Sequence, residues 1–189
     1  MTQFINITDV DTLELDRMDS DHPDDWPFYI MIAGGMGAGK THIINQYIEH
    51  VDIFDIDSIM EQNRFLDYSE DQFAIAMKEI AEKIEEQFKK RNSMVAMGTA
   101  SNPTAAIDRL YAAKLKGFRT ILIHIDAPVY QAVIQNRLRV EKGERGVKES
   151  DEHKIERTTN GAVRTVSILR ESSLVDYFVY YNNHRDIIE

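Results

Sequence analysis

A chain of 189 residues with 43% hydrophobic content is long enough to bury one domain-sized core, and its lack of cysteine excludes a disulfide framework and thiolate metal sites. No stretch approaches the roughly 20 apolar residues that cross a bilayer, and no basic-then-apolar signal segment opens the chain, so a cytoplasmic protein without membrane contact is expected. The net charge of -10 argues against a surface broadly built for nucleic acid, because phosphate contacts need clustered Lys and Arg.

Much of the acidic excess lies in residues 1–26, in Asp9, Asp11, Glu14, Asp16, Asp19, Asp21, Asp24 and Asp25, opposed only by Arg17. This stretch reads as a solvated N-terminal arm, with an extension over the substrate cleft or an oligomer contact as the alternative. Phe4-Ile5-Asn6-Ile7 is a candidate edge strand. His22-Pro23 and Trp26-Pro27 mark a break, and the folded domain is placed at 27–189.

The apolar run Phe28–Ala33 predicts a buried strand, and Gly34-Gly35-Met36-Gly37-Ala38-Gly39-Lys40-Thr41 then fits the pattern G-x-x-x-x-G-K-[ST] at every defined position. Ile43, Ile44, Tyr47 and Ile48 follow at helical spacing, to about His50. Strand, glycine loop and helix in that order suit phosphate binding. The glycines let successive N–H groups turn inward, and the helix adds its positive dipole end beneath them. The whole loop from Gly34 to Thr41 is therefore the expected nucleotide site. Lys40 would reach the β- and γ-phosphates, and Thr41 would be a ligand of Mg²⁺.

Val51–Ile56 reads as a second strand closing on Asp57, residues 63–68 as a connection, and the stretch from Ser69 as a long amphipathic helix with Phe73, Met77, Ile80, Ile84 and Phe88 inward. Ser69 and Gln72 make a candidate capping box, and Lys89-Lys90-Arg91 suit the helix end. A strand at Ser93–Met97, a helix from Thr104 to Lys116 closed by Gly117, and a strand at Thr120–Ile125 come next. A helix from Val129 to about Val140 is expected to turn Val133 and Leu138 inward. Residues 141–151 are charged, carry two glycines and read as a lid. A helix over about 152–172 and a last strand at Leu174–Tyr180 complete the chain. Strands alternating with helices predict an α/β fold: a three-layer, doubly wound parallel sheet with its site at the carboxyl ends of the strands.

A phosphate loop alone does not separate kinases from switches and motors. The Asn-Lys-x-Asp and Asp-x-x-Gly motifs of guanine-nucleotide switches are missing, as is a strand ending in Asp-Glu. Asp57, at the expected end of the strand beside the loop, is placed to accept a proton from an attacking hydroxyl, or to hold Mg²⁺ through water. A plain helix cap is the rival reading. Asp55 ranks second, on the opposite face of an extended strand. Transfer of a phosphoryl group also needs fixed positive charge, for which Arg137, Arg139, Arg145, Arg157 and Arg164 are the candidates. Arg137, Arg145 and Arg157 flank or occupy the glycine-bearing segment and are favoured as lid arginines that close over ATP. Thr99 and Ser101, with Asn102, sit after the third core strand, where an acceptor should lie. Asp126 is either a site residue or a helix cap.

The phosphate loop, the turn Asp55-Ile56-Asp57-Ser58-Ile59, Met97-Gly98-Thr99, the stretch 114–121 and the closing stretch 172–180 together make the chain resemble zeta-toxin-like and phage polynucleotide-kinase-like P-loop kinases. The resemblance covers about residues 28–181. It implies a P-loop kinase fold with strand order 2-3-1-4-5, and it implies that Asp57 is the catalytic base. The acidic residue that zeta toxins carry before Gly-Thr is replaced here by Met97, and the arginine just after by Ser101 or a neighbour. The expected activity is transfer of the γ-phosphate of ATP, with Mg²⁺, to a hydroxyl on a nucleotide, nucleotide sugar or other small molecule. Two alternatives stand beside it. One is a hydroxyl on nucleic acid, such as a modified base in phage DNA, reached along a local basic channel of Lys114, Lys116, Arg119 and the lid arginines. The other is a nucleotide-binding regulatory module without catalysis.

Overall fold

The computed structural model describes residues 26–48, 51–63, 70–142 and 152–184, with the backbone of 3–6. The elements are β1 (Gln3–Asn6), β2 (Phe28–Ala33), α1 (Lys40–Tyr47), β3 (Asp52–Asp55), α2 (Ile56–Gln62), α3 (Glu70–Lys90), β4 (Met94–Met97), α4 (Pro103–Leu115), β5 (Arg119–Asp126), α5 (Val129–Glu141), α6 (His153–Arg170) and β6 (Tyr177–Asn182). The lid core at 143–151, Ser69 of the expected capping box and most of the acidic arm lie outside the described residues.

One all-parallel sheet runs β1-β6-β5-β2-β4-β3. Counting the five core strands from Phe28–Ala33, this is the expected order 2-3-1-4-5, and the candidate edge strand adds β1 beside β6. Tyr29 to Ala33 are buried throughout, which explains an unbroken apolar run instead of an alternating one: both faces of a central parallel strand are covered. Tyr29, Met31 and Ala33 pack with Met60 of α2, Ile80 of α3, Leu110 of α4 and Leu169 of α6 on one face. Ile30 and Ile32 pack with Ile43 and Ile44 of α1 on the other. In register, Ile32 stands beside both Met97, the last residue of β4, and Ile123, while β5 runs on to Asp126, so the glycine loop begins where β4 ends and beside the last residues of β5.

Several boundaries differ from the sequence expectation for identifiable reasons. β3 stops at Asp55, which takes the N-cap position of α2 in extended conformation, because burying Ile59 and Met60 on one side requires helix from Ile56 onward. Asp57 therefore sits in the first helical turn and not at a strand end. α4 starts one residue early, with Pro103 at its first position and the Asn102 side chain accepting from Ala105 N at 3.3 Å. Gly117 follows it at φ 76°, as its placing suggested. α5 departs most. Leu138 is 44% exposed, and the inward residues are Gln131, Ala132 and Asn136, because this helix lies against the loop and the end of β6 instead of an apolar sheet face.

The basic channel is not assembled. Arg119 pairs in register with Phe28, at the opposite end of the sheet from the glycine loop. There it lies 5.3 Å over the Trp26 ring, while Lys116 pairs with Glu85 at 3.0 Å and Lys114 bonds Asp176. Asp176 also accepts from Thr120 N at 2.8 Å and from Thr120 Oγ1 at 3.1 Å, which ties the entry to β6 onto β5. Asp176→Ala strands the Thr120 N–H, while the Thr120 hydroxyl keeps Leu174 O at 2.6 Å, and is expected to cost about 1–3 kcal/mol, read as a lower urea midpoint at unchanged slope. A shift below about 0.5 kcal/mol would show that solvent replaces the carboxylate.

Candidate functional site

The loop between β2 and α1 is enclosed on four sides by backbone and short side chains. Gly34 N donates to Thr99 O at 3.3 Å, beyond the end of β4. A Cβ built on Gly35 would stand 2.0 Å from Thr159 Oγ1 of α6. Gly37, at φ 76°, would meet Ala132 O of α5 at 2.7 Å. Glycine is required at these two positions for close approach, and at Gly37 also for the left-handed turn. Asn183, buried just past β6, donates from Nδ2 to Ala38 O at 2.8 Å. Its own backbone is fixed by Gln131 Nε2 on its carbonyl at 2.8 Å and by its N–H on Asp126 O at 2.8 Å. The third amide of the loop, Met36 N, donates to Thr158 Oγ1 at 3.3 Å.

Lys40 opens α1, and its ammonium folds back to donate to Gly34 O at 3.0 Å and Gly35 O at 2.8 Å. Burial pushes its pKa down to about 8, while the charges of Asp57 and Asp55 pull it up and that of Arg139 pushes it further down. Three charged groups are thus brought to the loop lysine. Asp55 is half-buried at the end of β3 and takes Ser58 Oγ at 3.4 Å. Its carboxyl is held above the usual range by burial and by the charge of Asp57, with the Asp57 N–H, Lys40 and the Ser58 N–H acting the other way. Asp57 is exposed in the first turn of α2. The two carboxylates expected on opposite faces both act on Lys40, since the turn into the helix re-aims the second.

Thr99 and Ser101 lie in the turn after β4, beside Gly34 at the start of the loop. Their hydroxyls are 3.0 Å apart, and Ala100 between them is at φ 50°, a left-handed conformation unusual for a residue with a Cβ. Gly161 of α6 presses on this turn: a Cβ there would stand 2.7 Å from Ser101 O. Thr41 lies exposed in the first turn of α1. No group of three or more His, Asp or Glu gathers among the described residues, so a divalent cation here would rely on Thr41, a carboxylate and the phosphates themselves.

The arginines divide. Arg137 is committed to Glu152, with Nε to Oε1 at 2.7 Å and Nη2 to Oε2 at 2.8 Å, a bidentate pair that joins the end of α5 to the start of α6. Arg157 is exposed on α6, directly before Thr158. Arg145 lies outside the described residues. Arg139, a candidate not among the favoured three, is the guanidinium whose charge reaches Lys40. Asp126 does not cap α5, whose N-cap is Pro128. It accepts the Tyr180 hydroxyl at 2.7 Å and lies 3.5 Å from His184 Nε2. A groove of about 470 Å³, lined by His124, Ser167, Arg170 and Tyr180, lies beside α6 and includes no residue of the loop.

Sequence reasoning missed Asn183, Gln131 and the Thr158–Thr159 pair. One signal was available for the threonines: Gly161 sits inside a helical pattern, where glycine is tolerated when another backbone comes close. Asn183 follows a strand end with no motif and had no signal.

Because Ala100 adopts a left-handed backbone that costs a residue with a Cβ about 1–2 kcal/mol, Ala100→Gly should stabilise the fold by roughly 0.5–1 kcal/mol after the added chain entropy of glycine. Thermal unfolding checks this, and a destabilised variant would mean that the contact of the Ala100 methyl with the core outweighs the backbone cost.

The zeta toxin family profile matches residues 12–188. Comparison with curated protein sequences gave no significant match. Among solved structures, the fold is similar to a chain of the PezAT chromosomal toxin–antitoxin system of Streptococcus pneumoniae. That likeness has a TM-score of 0.61 at 18% identity, over 82% of this chain and 67% of that one. It is similar to a chain of the Pnkp1/Rnl/Hen1 RNA repair complex, with a TM-score of 0.65 at 16% identity over 79% of this chain and 48% of that one. It is also similar to a chain of the AvrRxo1-ORF1:-ORF2 complex with ATP, with a TM-score of 0.56 at 16% identity, covering 82% and 55%. This chain thus spans about half the length of the last two. With a complete phosphate loop on a parallel sheet of this order, the chain belongs to the zeta toxin family and is a kinase-type P-loop enzyme.

Proposed function

We propose that the protein transfers the γ-phosphate of ATP to a hydroxyl of a small-molecule acceptor. The observation that carries this reading is the electrostatic grouping at Lys40, a loop lysine on which Asp57, Asp55 and Arg139 all act. In this scheme the loop amides from Gly34 to Thr41 bind the phosphates, and Lys40 follows the charge that develops on the β- and γ-phosphates. Asp57, exposed beside it, accepts the acceptor's proton as the oxygen attacks. Asp55 is half-buried and capped, and it holds the turn that aims Asp57. Thr99 and Ser101 supply hydroxyls for orienting the acceptor, and Arg139 and Arg157, with Arg145, supply positive charge on the lid side. Thr41 with Asp57 suits a Mg²⁺ ion that keeps most of its waters, which would neutralise phosphate charge. Nucleic acid is the weaker acceptor class, because Lys114 and Lys116 are ion-paired and Arg119 lies at the far end of the sheet.

A labelled-ATP transfer screen across nucleotides, nucleotide sugars and hydroxyl-bearing DNA, read by mass change, tests the reading. Label that moves only when an acceptor is present supports a kinase. Steady ATP loss without acceptor would make it an ATPase, and no loss under any condition would favour a binding module.

Asp57→Asn should lower kcat about 10²–10⁴-fold and leave ATP affinity within about threefold. Near-normal turnover would remove Asp57 as the base.

Lys40 gives a pH signature. Its folded pKa of about 8 lies below the free value of 10.5, so its ammonium is lost as pH rises through about 8. The burial penalty on the fold is present below pH 8 and is relieved between 8 and 10.5. Nucleotide affinity runs the other way, and kcat/KM for ATP should fall above pH 8 towards tenfold per unit. A profile flat to pH 10 would show that Lys40 keeps its proton in the free enzyme.

A further inference from the structure

The Met36 amide, the third of the motif, is held by a side chain: Thr158 Oγ1 accepts from it at 3.3 Å. The same hydroxyl donates its own proton to Ile155 O at 3.0 Å, one turn back along α6. The oxygen is therefore oriented with a lone pair towards Met36. Thr159 beside it closes on Gly35, so this part of α6 seats on the opening of the loop. Lys40 Nζ lies against Gly34 O and Gly35 O, which sets Gly34–Met36 on the side of the β- and γ-phosphates that such a lysine reaches.

We propose that Thr158 is a positioning residue whose hydroxyl holds the Met36 amide and competes for it with the terminal phosphate of a nucleoside triphosphate. This rests on the nucleotide reading given above. The exchange is favourable on elementary grounds. A neutral hydroxyl at 3.3 Å is a long acceptor, whereas a phosphate oxygen makes a shorter, charge-assisted bond of roughly twice the strength. Nothing covalent changes; one acceptor replaces another.

Thr158→Val keeps the shape and removes the acceptor, and Thr158→Ser keeps the acceptor. In the nucleotide-free protein, Met36 amide exchange should be at least about tenfold faster in the valine variant and near wild type in the serine variant. By calorimetry the valine variant should bind a non-hydrolysable ATP analogue about 3–10-fold tighter, because no hydroxyl competes, with ADP affinity within twofold of wild type. Unchanged Met36 exchange would overturn the proposal. So would an equal change for both nucleotides in either direction, which would make the threonine a prop for the whole loop. Wild-type protein that bound neither nucleotide would sink the nucleotide reading and the phosphate half of this proposal, while the exchange measurement would still decide what holds Met36.

Discussion

The fold depends on how closely other backbone can approach the glycine loop. β2 delivers Gly34 to the point where β4 ends and beside the last residues of β5, and Ile125 O, Ala132 O and Thr159 fill the space that side chains on the loop would need. Within the loop Ala38 N donates to Gly35 O at 3.2 Å, and side chains hold further carbonyls. Asn183 donates to Ala38 O, and Lys40 donates to Gly34 O and Gly35 O. This accounts for a polar face on α5. Gln131 is buried to fix Asn183, and Leu138 is left outside.

The same closeness sets the electrostatics. An enclosed ammonium is costly, and burial is the largest of the influences that bring the Lys40 pKa down to about 8. Asp57 and Asp55 offset part of that cost. Incoming phosphate charge would act in the same sense and more strongly. The carboxylates thus serve Lys40 as counter-charges, Asp55 half-buried and Asp57 exposed. α6 contributes in parallel: Thr159 shapes Gly35, Gly161 seats the Thr99–Ser101 turn, and Glu152 anchors Arg137.

Wherever the governing physics was local, the sequence was legible. The loop motif, the buried run before it, the helical spacing after it and the Gly117 stop all follow from propensity and period, and alternation of strand with helix gave the layers. The strand order came from resemblance and agrees with the observed sheet. Asp57 illustrates the boundary. Its residue type and place beside the loop were readable, but the turn from β3 into α2 depends on burying Ile59 and Met60 against α3, which no local pattern encodes. Arg137 and Arg139 are two residues apart on one helix, and the sequence could not tell which would be tied to Glu152 and which would act on Lys40.

The sequence by itself determined that the chain holds a phosphate loop on a parallel α/β sheet, because glycine spacing and apolar period are short-range properties of the chain. Tertiary structure alone decided what surrounds that loop. Asn183 is 145 residues from Ala38 and Thr158 is 122 from Met36, and these contacts exist only because β6 and α6 return to the ends of the central strands. Contacts at such separations leave no periodic trace, since each needs only one suitable donor or acceptor at one point.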